Sequence, residues 1–208
     1  MFTGIIQHLG IVTSRVAMGK GIRFGIDVGK VNSRLEIGSS IAINGVCLTV
    51  TRKIKSKIEV EAVEETLKKT TLQHLRPKEK VNCEPSLLAT DSLGGHFVLG
   101  HIDCIGKVSS IEKKTASRLF TIEYPSEFAL YVIPRGSIAI DGVSLTVADI
   151  RTHRDKNKSA FLISIIPHTF ENTNFHFLKK GTSVNIEFDM VGKYIVEVVK
   201  KVLPTLSN

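Results

Sequence analysis

The chain reads as an all-β protein: two tandem homologous six-stranded closed β-barrels followed by a C-terminal α-helix. Three observations predict this. A block occurs twice, most periodic segments alternate like strands, and one amphipathic stretch lies beyond the second copy. The block is IAINGVCLTV, Ile41 to Val50, and again IAIDGVSLTV, Ile138 to Val147, with eight of ten letters identical at an offset of 97 residues. Asn44 becomes Asp141 and Cys47 becomes Ser144. One structural element has been kept twice while its polar groups changed, which marks two like domains within 208 residues.

The repeat extends to both sides of the block. At an offset of 96, Gly4 matches Gly100, Ile6 matches Ile102, Gly10 matches Gly106 and Val12 matches Val108. At an offset of 103, Thr66 matches Thr169, Thr70 matches Thr173, and Val81-Asn82 matches Val184-Asn185. The six extra residues between Val147 and Ile163 fit a longer hairpin loop, where insertions are tolerated. These matches divide the chain into residues 1–93, 94–190 and a tail, 191–208.

Within each half the block splits at Asn44-Gly45, or Asp141-Gly142, a dipeptide that accepts positive φ and makes a tight turn between two short strands. IRFGIDV (22–28), KIEVEAV (57–63), LFTIEY (119–124) and AFLISII (160–166) add strands by partial alternation. Helical signals are short: Ser126 to Leu130, with Ser126 as cap and Pro134 as terminator, its counterpart Val31 to Leu35, and a turn after Thr66 and Thr169. About six short strands per half suggest a small closed barrel, which leaves no open sheet edge. Beyond Gly192, residues Tyr194, Ile195, Val198, Val199, Val202 and Leu203 fall on one helical face. A lone helix of that length is marginal in water, and its place outside the repeat favours a role in assembly.

Hydrophobic content of 42% with 23% charged residues suits packed domains and excludes disorder. The net charge of +8 comes mostly from doublets such as Lys68-Lys69 and Lys179-Lys180, and from the loop that starts at Arg151. No row of aromatics accompanies them, so a nucleic-acid partner is not expected. The start MFTGIIQHLG has no signal-peptide pattern and no apolar run reaches membrane-spanning length, which predicts a cytoplasmic protein without a membrane partner. Cys47, Cys83 and Cys104 are odd in number and lack metal-like spacing, so they read as reduced thiols with no metal site.

Two like barrels with altered polar residues imply two related ligand sites that treat the same or a similar molecule differently. The motifs MFTGI, NGVCLTV, DGVSLTV, GGHFVLGHID, and EETL followed by TTLQHL make the chain resemble the riboflavin synthases of the alpha-subunit type, within the lumazine-binding family, over essentially its whole length. The resemblance implies a cofactor-free dismutation. Two molecules of 6,7-dimethyl-8-ribityllumazine, bound as a pair, would give riboflavin and 5-amino-6-(D-ribitylamino)uracil by transfer of a four-carbon unit. It further implies a homotrimer, assembled here through the C-terminal helix, with each site between the N-terminal barrel of one subunit and the C-terminal barrel of a neighbour. Lumazine synthase joins the partners it suggests.

Catalysis of this kind asks mainly for two stacked rings held in register and a weak base for an acidic methyl group. His101, in GHID, is the first choice for that base, with a packed or surface histidine satisfied by a backbone carbonyl as its ordinary alternative. Its match is Ile5, so the two sites would not share proton chemistry. His96 reads as a junction support, and His8, His74, His153 and His176 as surface groups. Ser40 and Cys47 match family positions near the activated ring carbon, although a cysteine in a strand is more often core than nucleophile. Asp141 and Arg135 complete the C-terminal set. The aspartate could equally cap its turn. Arg135 stands where relatives often carry lysine, and arginine keeps the charge but is a poor proton donor.

Substrate contacts are carried over in segments: Gly4, Ile5 and Ile6; Cys47, Leu48 and Thr49; and their counterparts Gly100, His101 and Ile102; Ser144, Leu145 and Thr146. The ribityl chain would be covered by Glu61, Ala62, Val63, Glu64, Glu65 and Thr66, and by Ile165, Ile166, Pro167, His168, Thr169 and Phe170. Two rivals remain open: a non-catalytic lumazine or flavin antenna, and a basic barrel that binds single-stranded nucleic acid.

Overall fold

The computed structural model describes residues 1–151 and 155–206, the last four by backbone alone. His153 and the side chain of Leu203 lie outside the described residues. Strands β1 (His8–Met18), β2 (Gly21–Asp27), β3 (Ser40–Ile43), β4 (Val46–Ile54), β5 (Lys57–Ala62) and β6 (Lys80–Pro85) close into one antiparallel barrel in the order β1-β2-β5-β4-β3-β6. Strands β7 (Cys104–Lys113), β8 (Arg118–Pro125), β9 (Ser137–Ile140), β10 (Val143–Arg151), β11 (Lys158–Ile165) and β12 (Ser183–Phe188) repeat that topology in a second.

The irregularities repeat as well. Register shifts at Val12/Ser14 and Val50/Arg52 recur at Val108/Ser110 and Val147/Asp149. Such bulges bend and twist a strand, which small barrels need in order to close. The alternation in each strand sends equivalent apolar residues inward: Phe24, Ile26, Ile41 and Ile43 in one core, Phe120, Ile122, Ile138 and Ile140 in the other, all fully buried or within 1% of it.

Short helices α1 (Glu64–Lys69) and α2 (Pro167–Asn172) follow β5 and β11, so Thr66 and Thr169 lie inside a helix rather than before a turn. The segment Ser126–Tyr131 is a 3-10 turn, but its cap is Pro125 without a side-chain bond; Ser126 does not cap it. Its counterpart spans Gly29–Arg34.

The C-terminal helix α3 (Met190–Leu206) docks on its own second barrel through polar groups. Lys193 pairs with Asp103 at 2.9 Å, and the Tyr131 hydroxyl donates to Glu197 at 2.7 Å. Its apolar side, with Tyr194, Ile195, Val198, Val199 and Val202, remains exposed. No described helix is long and apolar enough to cross a membrane.

Candidate functional site: two composite cradles

The halves meet across a pseudo-twofold seam. Phe2 and Val98 pair there as an isolated antiparallel bridge and bury themselves with Ala42 and Ala139. The tight turns lie back to back beside them. Asn44 and Gly45 have φ of 45° and 78°, Asp141 and Gly142 have 46° and 80°, as a turn with two left-handed residues requires. A Cβ on Gly45 would come within 2.6 Å of Gly142 N, so the close approach as well as the turn demands glycine.

Each leading segment is held by its own barrel and presented to the other. Glu84, on β6, accepts from Thr3 N at 2.7 Å, Thr3 Oγ1 at 2.8 Å and Gly4 N at 3.1 Å. Glu187, its repeat counterpart on β12, accepts from the N–H groups of Leu99, Gly100 and His101 at 2.6, 2.9 and 3.1 Å. Burial pushes both carboxyls above the usual range, and the donated hydrogen bonds pull the other way.

So held, the Gly4 carbonyl accepts from Ser144 N at 2.8 Å in the C-terminal barrel, and the Gly100 carbonyl accepts from Cys47 N at 2.9 Å in the N-terminal one. Both glycines have left-handed φ, +77° and +81°. Their missing Cβ atoms would fall 2.5 Å from Ser144 Cβ and 2.6 Å from Cys47 Cβ.

The glycine carbonyls enter where each barrel opens. Paired register between β4 and β5 stops at Val50–Val60, although β4 begins at Val46; between β10 and β11 it stops at Val147–Ile163, although β10 begins at Val143. The freed N–H of Cys47 or Ser144 is the one that takes the glycine carbonyl. Each opening is thus bordered by the hairpin of one barrel, the following strand end and helix, and the leading segment of the other half.

The N-terminal opening is flanked by Cys47, Leu48 and Thr49 on β4 and by the chain that follows Val60, from Glu61 to Thr66, and Gly100, followed by His101 and Ile102, reaches it at Cys47. Ser40 lies opposite Thr49 in the β3–β4 register. His101 is exposed, and Ile102 packs on the N-terminal core. Three acids in this set are already engaged: Glu61 with Arg23 at 2.9 Å, Glu64 with Lys68 and Glu65 with Lys69 at 2.8 Å.

The C-terminal opening is flanked by Ser144, Leu145 and Thr146 on β10 and by the chain that follows Ile163, with Ile165 to Phe170, and Gly4, followed by Ile5 and Ile6, reaches it at Ser144. Ile5 is exposed and Ile6 packs on the C-terminal core. The Arg118 guanidinium lies 4.0 Å above the Phe170 ring. Arg135, exposed at φ 64°, donates its N–H to Val147 O at 2.8 Å.

Asp141 does not join Arg135. It occupies the turn, five residues or about 16 Å from Gly136 along the hairpin. It is 2% exposed. Its Oδ1 accepts from Asn185 N and its Oδ2 from Asn174 Nδ2, each at 2.8 Å. Burial pushes its carboxyl up to about 7. The structure therefore sets Asp141 in the seam, apart from the cradle residues.

Sequence reasoning missed Glu84 and Glu187. A carboxylate at the same repeat position of two otherwise apolar strands, VNCE and VNIE, was the signal. It also underplayed His96, whose Nδ1 lies 2.7 Å from Ser144 Oγ, with burial holding the ring below its ordinary pKa against the pull of Asp189. His8 is half-buried over Gly29 rather than a surface group, while His74 and His176 are exposed. Cys83 and Cys104 are buried free thiols pushed up to about 12, and Cys47 is a half-buried one. Among the described residues no metal-binding group of His, Cys, Asp or Glu gathers.

Known proteins share this sequence pattern and this fold. A family model described as the lumazine binding domain matches residues 3–86 and again 99–189. The riboflavin synthase of Actinobacillus pleuropneumoniae is 39% identical over 97% of this chain and 91% of its own length. That of Bacillus subtilis is 37% identical over 97% and 91%. Among solved structures, LumP complexed with riboflavin superposes with a TM-score of 0.80 at 26% identity, covering 90% of this chain and 99% of that one. LumP complexed with 6,7-dimethyl-8-(1'-D-ribityl) lumazine gives 0.78 at 25% identity over the same shares. With two copies of the domain matched and riboflavin synthases as relatives along nearly its full length, the chain belongs to the lumazine-binding riboflavin synthase family.

Proposed function

We propose that the chain is a riboflavin synthase that converts two 6,7-dimethyl-8-ribityllumazine molecules into riboflavin and 5-amino-6-(D-ribitylamino)uracil. One observation carries this: two cradles of one backbone frame with different side chains at equivalent positions. His101 faces one where Ile5 faces the other, and Cys47 replaces Ser144. Like frames suit two copies of one heterocycle, and unlike side chains suit their unlike fates as donor and acceptor.

In this reading the glycine carbonyls and hairpin N–H groups fix the ring edges. The helices after β5 and β11 border the ribityl chains, with Thr66 and Thr169 as side-chain partners. His101 serves as the base for the acidic methyl, Ser40 and Cys47 line the activated ring carbon, and Arg135 supplies positive charge. Both cradles open to solvent, which fits a site completed by a neighbouring subunit. The exposed apolar side of α3 supports assembly into a trimer. Removing Lys193 to Asn208 is expected to lower the mass in light scattering and to lower activity; an unchanged mass would end the assembly role.

The similarity to LumP favours a second reading, a carrier that binds lumazine or flavin without turning it over. Purified protein mixed with 6,7-dimethyl-8-ribityllumazine, without added cofactor or metal, separates the two. Riboflavin and the pyrimidine in equal amounts establish the synthase, whereas tight binding without riboflavin establishes the carrier.

A further inference from the structure

A cavity of about 630 Å³ lies on the seam, away from both cradles. That volume is within the usual range for small-molecule sites. Its walls include repeat counterparts at the offset of 103 residues: His74 corresponds to Phe177, Leu75 to Leu178, and Lys80 to Ser183. One barrel thus contributes cations, and the other an aromatic ring, a polar fringe and the Asp141 carboxyl. Both carboxyl groups on the walls are engaged by protein donors: Glu79 accepts from the Arg76 N–H at 2.7 Å, and Asp141 from Asn185 N and Asn174 Nδ2 at 2.8 Å each.

Two features of the cavity wall offer a ligand groups that the fold leaves free. Asn44 lines it and is 7% exposed. Its Oδ1 is committed to Asn82 N at 2.8 Å, which fixes the amide orientation and leaves Nδ2 as the free end. Among the described residues Nδ2 meets no acceptor. Nδ2 is open to the cavity rather than sealed inside the protein, so a ligand oxygen can accept from it there in place of solvent.

The second feature is Lys78, which lines the cavity at φ 78°. Its repeat counterpart is Gly181, at φ 93°. A left-handed backbone is costly for lysine and free for glycine. The first half therefore places a cation at the cavity in a position where the second half shows that glycine serves the fold. Neither Lys78 nor Lys80 has a carboxylate partner among the described residues.

We propose that this cavity is a second small-molecule site, built for an aromatic phosphate monoester: Lys78, Lys80 and Asn44 Nδ2 hold the anion, and Phe177 with Leu75 and Leu178 hold the ring. Charge-assisted bonds to phosphate oxygens and apolar contact with the ring are the two halves of the recognition.

Phenyl phosphate is the probe, titrated calorimetrically into the full chain. One equivalent per chain is expected, tighter than inorganic phosphate or phenol alone. Lys78→Gly and Asn44→Asp each copy the other half's residue, so both variants keep a backbone the repeat already uses. Each is expected to weaken phenyl phosphate roughly tenfold or more, the value of a lost charged hydrogen bond, while the thermal unfolding midpoint stays or rises for Lys78→Gly. Saturating 6,7-dimethyl-8-ribityllumazine should leave the affinity unchanged.

No binding at millimolar phenyl phosphate would overturn the proposal. So would unchanged affinity in both variants, displacement by the lumazine, or inorganic phosphate binding as tightly as its phenyl ester. None of these readouts depends on turnover or on occupied cradles, so the outcome is independent of the proposed function.

Discussion

The two barrels share topology, bulge positions and core, and they differ where a polar group changes. The Asn44/Asp141 pair shows how a difference is forced. Around Asp141, Asn82 of the first half accepts from Asn174 N through Oδ1, so the Asn82 amide must donate, to Asp141 O and Asn174 Oδ1. Asn174 must then present Nδ2 to position 141, where Oδ1 is already taken by Asn185 N. Only a second acceptor fits, hence aspartate. In the first half Thr71 replaces Asn174 and bonds Asn185 Oδ1 through its main chain, so no donor arrives and asparagine suffices. Homologous frames can therefore carry residues that look interchangeable and are not.

The largest effects should come from the segments exchanged between halves. Gly100→Ala would place a Cβ 2.6 Å from Cys47 Cβ at a left-handed φ, and Gly4→Ala would do the same against Ser144. Each should destabilise by about 3 kcal/mol, the sum of overpacking and backbone strain. Denaturant unfolding checks that. Lumazine titration sharpens the comparison, because Gly100→Ala should damage the N-terminal cradle and Gly4→Ala the C-terminal one; equal loss at both would mean the cradles are not separable.

His101→Ile makes the first cradle copy the second. The side chain is exposed and its N–H bond to Glu187 is main-chain, so the fold should be unaffected. Riboflavin formation should fall roughly 100-fold, the usual worth of a general base. A rate within twofold of the parent would remove His101 from proton transfer.

The fold was legible because periodicity and repetition act locally: Asn44-Gly45, the strand alternation and the amphipathic tail each follow from neighbours in sequence. The cradle was legible only in part. Cys47 and Ser144 could be named from the repeat, but nothing local says that Gly100 reaches Cys47 while Gly4 reaches Ser144. That crossing depends on how two barrels dock. Glu84 and Glu187 escaped for a related reason, since a carboxylate in a strand reads as solvent-facing until its three N–H donors are known. The resemblance grouped Asp141 with Arg135 and left the turn as its equal alternative, because the contacts to Asn174 and Asn185 that hold the aspartate in the turn leave no local mark in the sequence.

Asp141→Asn tests the seam. The amide introduced by this substitution would turn a second donor toward Asn174 Nδ2, at a cost of about 2 kcal/mol. The sign with pH follows from burial, which raises the carboxyl from its ordinary 3.8 to about 7. Its contribution to stability is fully present below about pH 4 and is lost as pH rises through 7. The parent should thus lose stability across that window, the variant should lack that part of the slope, and the gap between them should narrow toward pH 8. A gap constant from pH 4 to 8 would break the account.

The smallest effect concerns Arg135, the second half's own left-handed basic residue. Its counterpart is Gly38, at φ 91°, and the two make the same main-chain bond, Gly38 N to Val50 O at 2.9 Å and Arg135 N to Val147 O at 2.8 Å. The fold therefore asks for glycine at this corner, and arginine is held there against a backbone cost of about 1 kcal/mol. Arg135→Gly should raise stability by about that amount in denaturant unfolding while weakening lumazine at the C-terminal cradle. Gly38→Arg, the converse, should lower stability by a similar amount. If Arg135→Gly binds and turns over lumazine as the parent does, the guanidinium has no role in the cradle and the strain at residue 135 is without function.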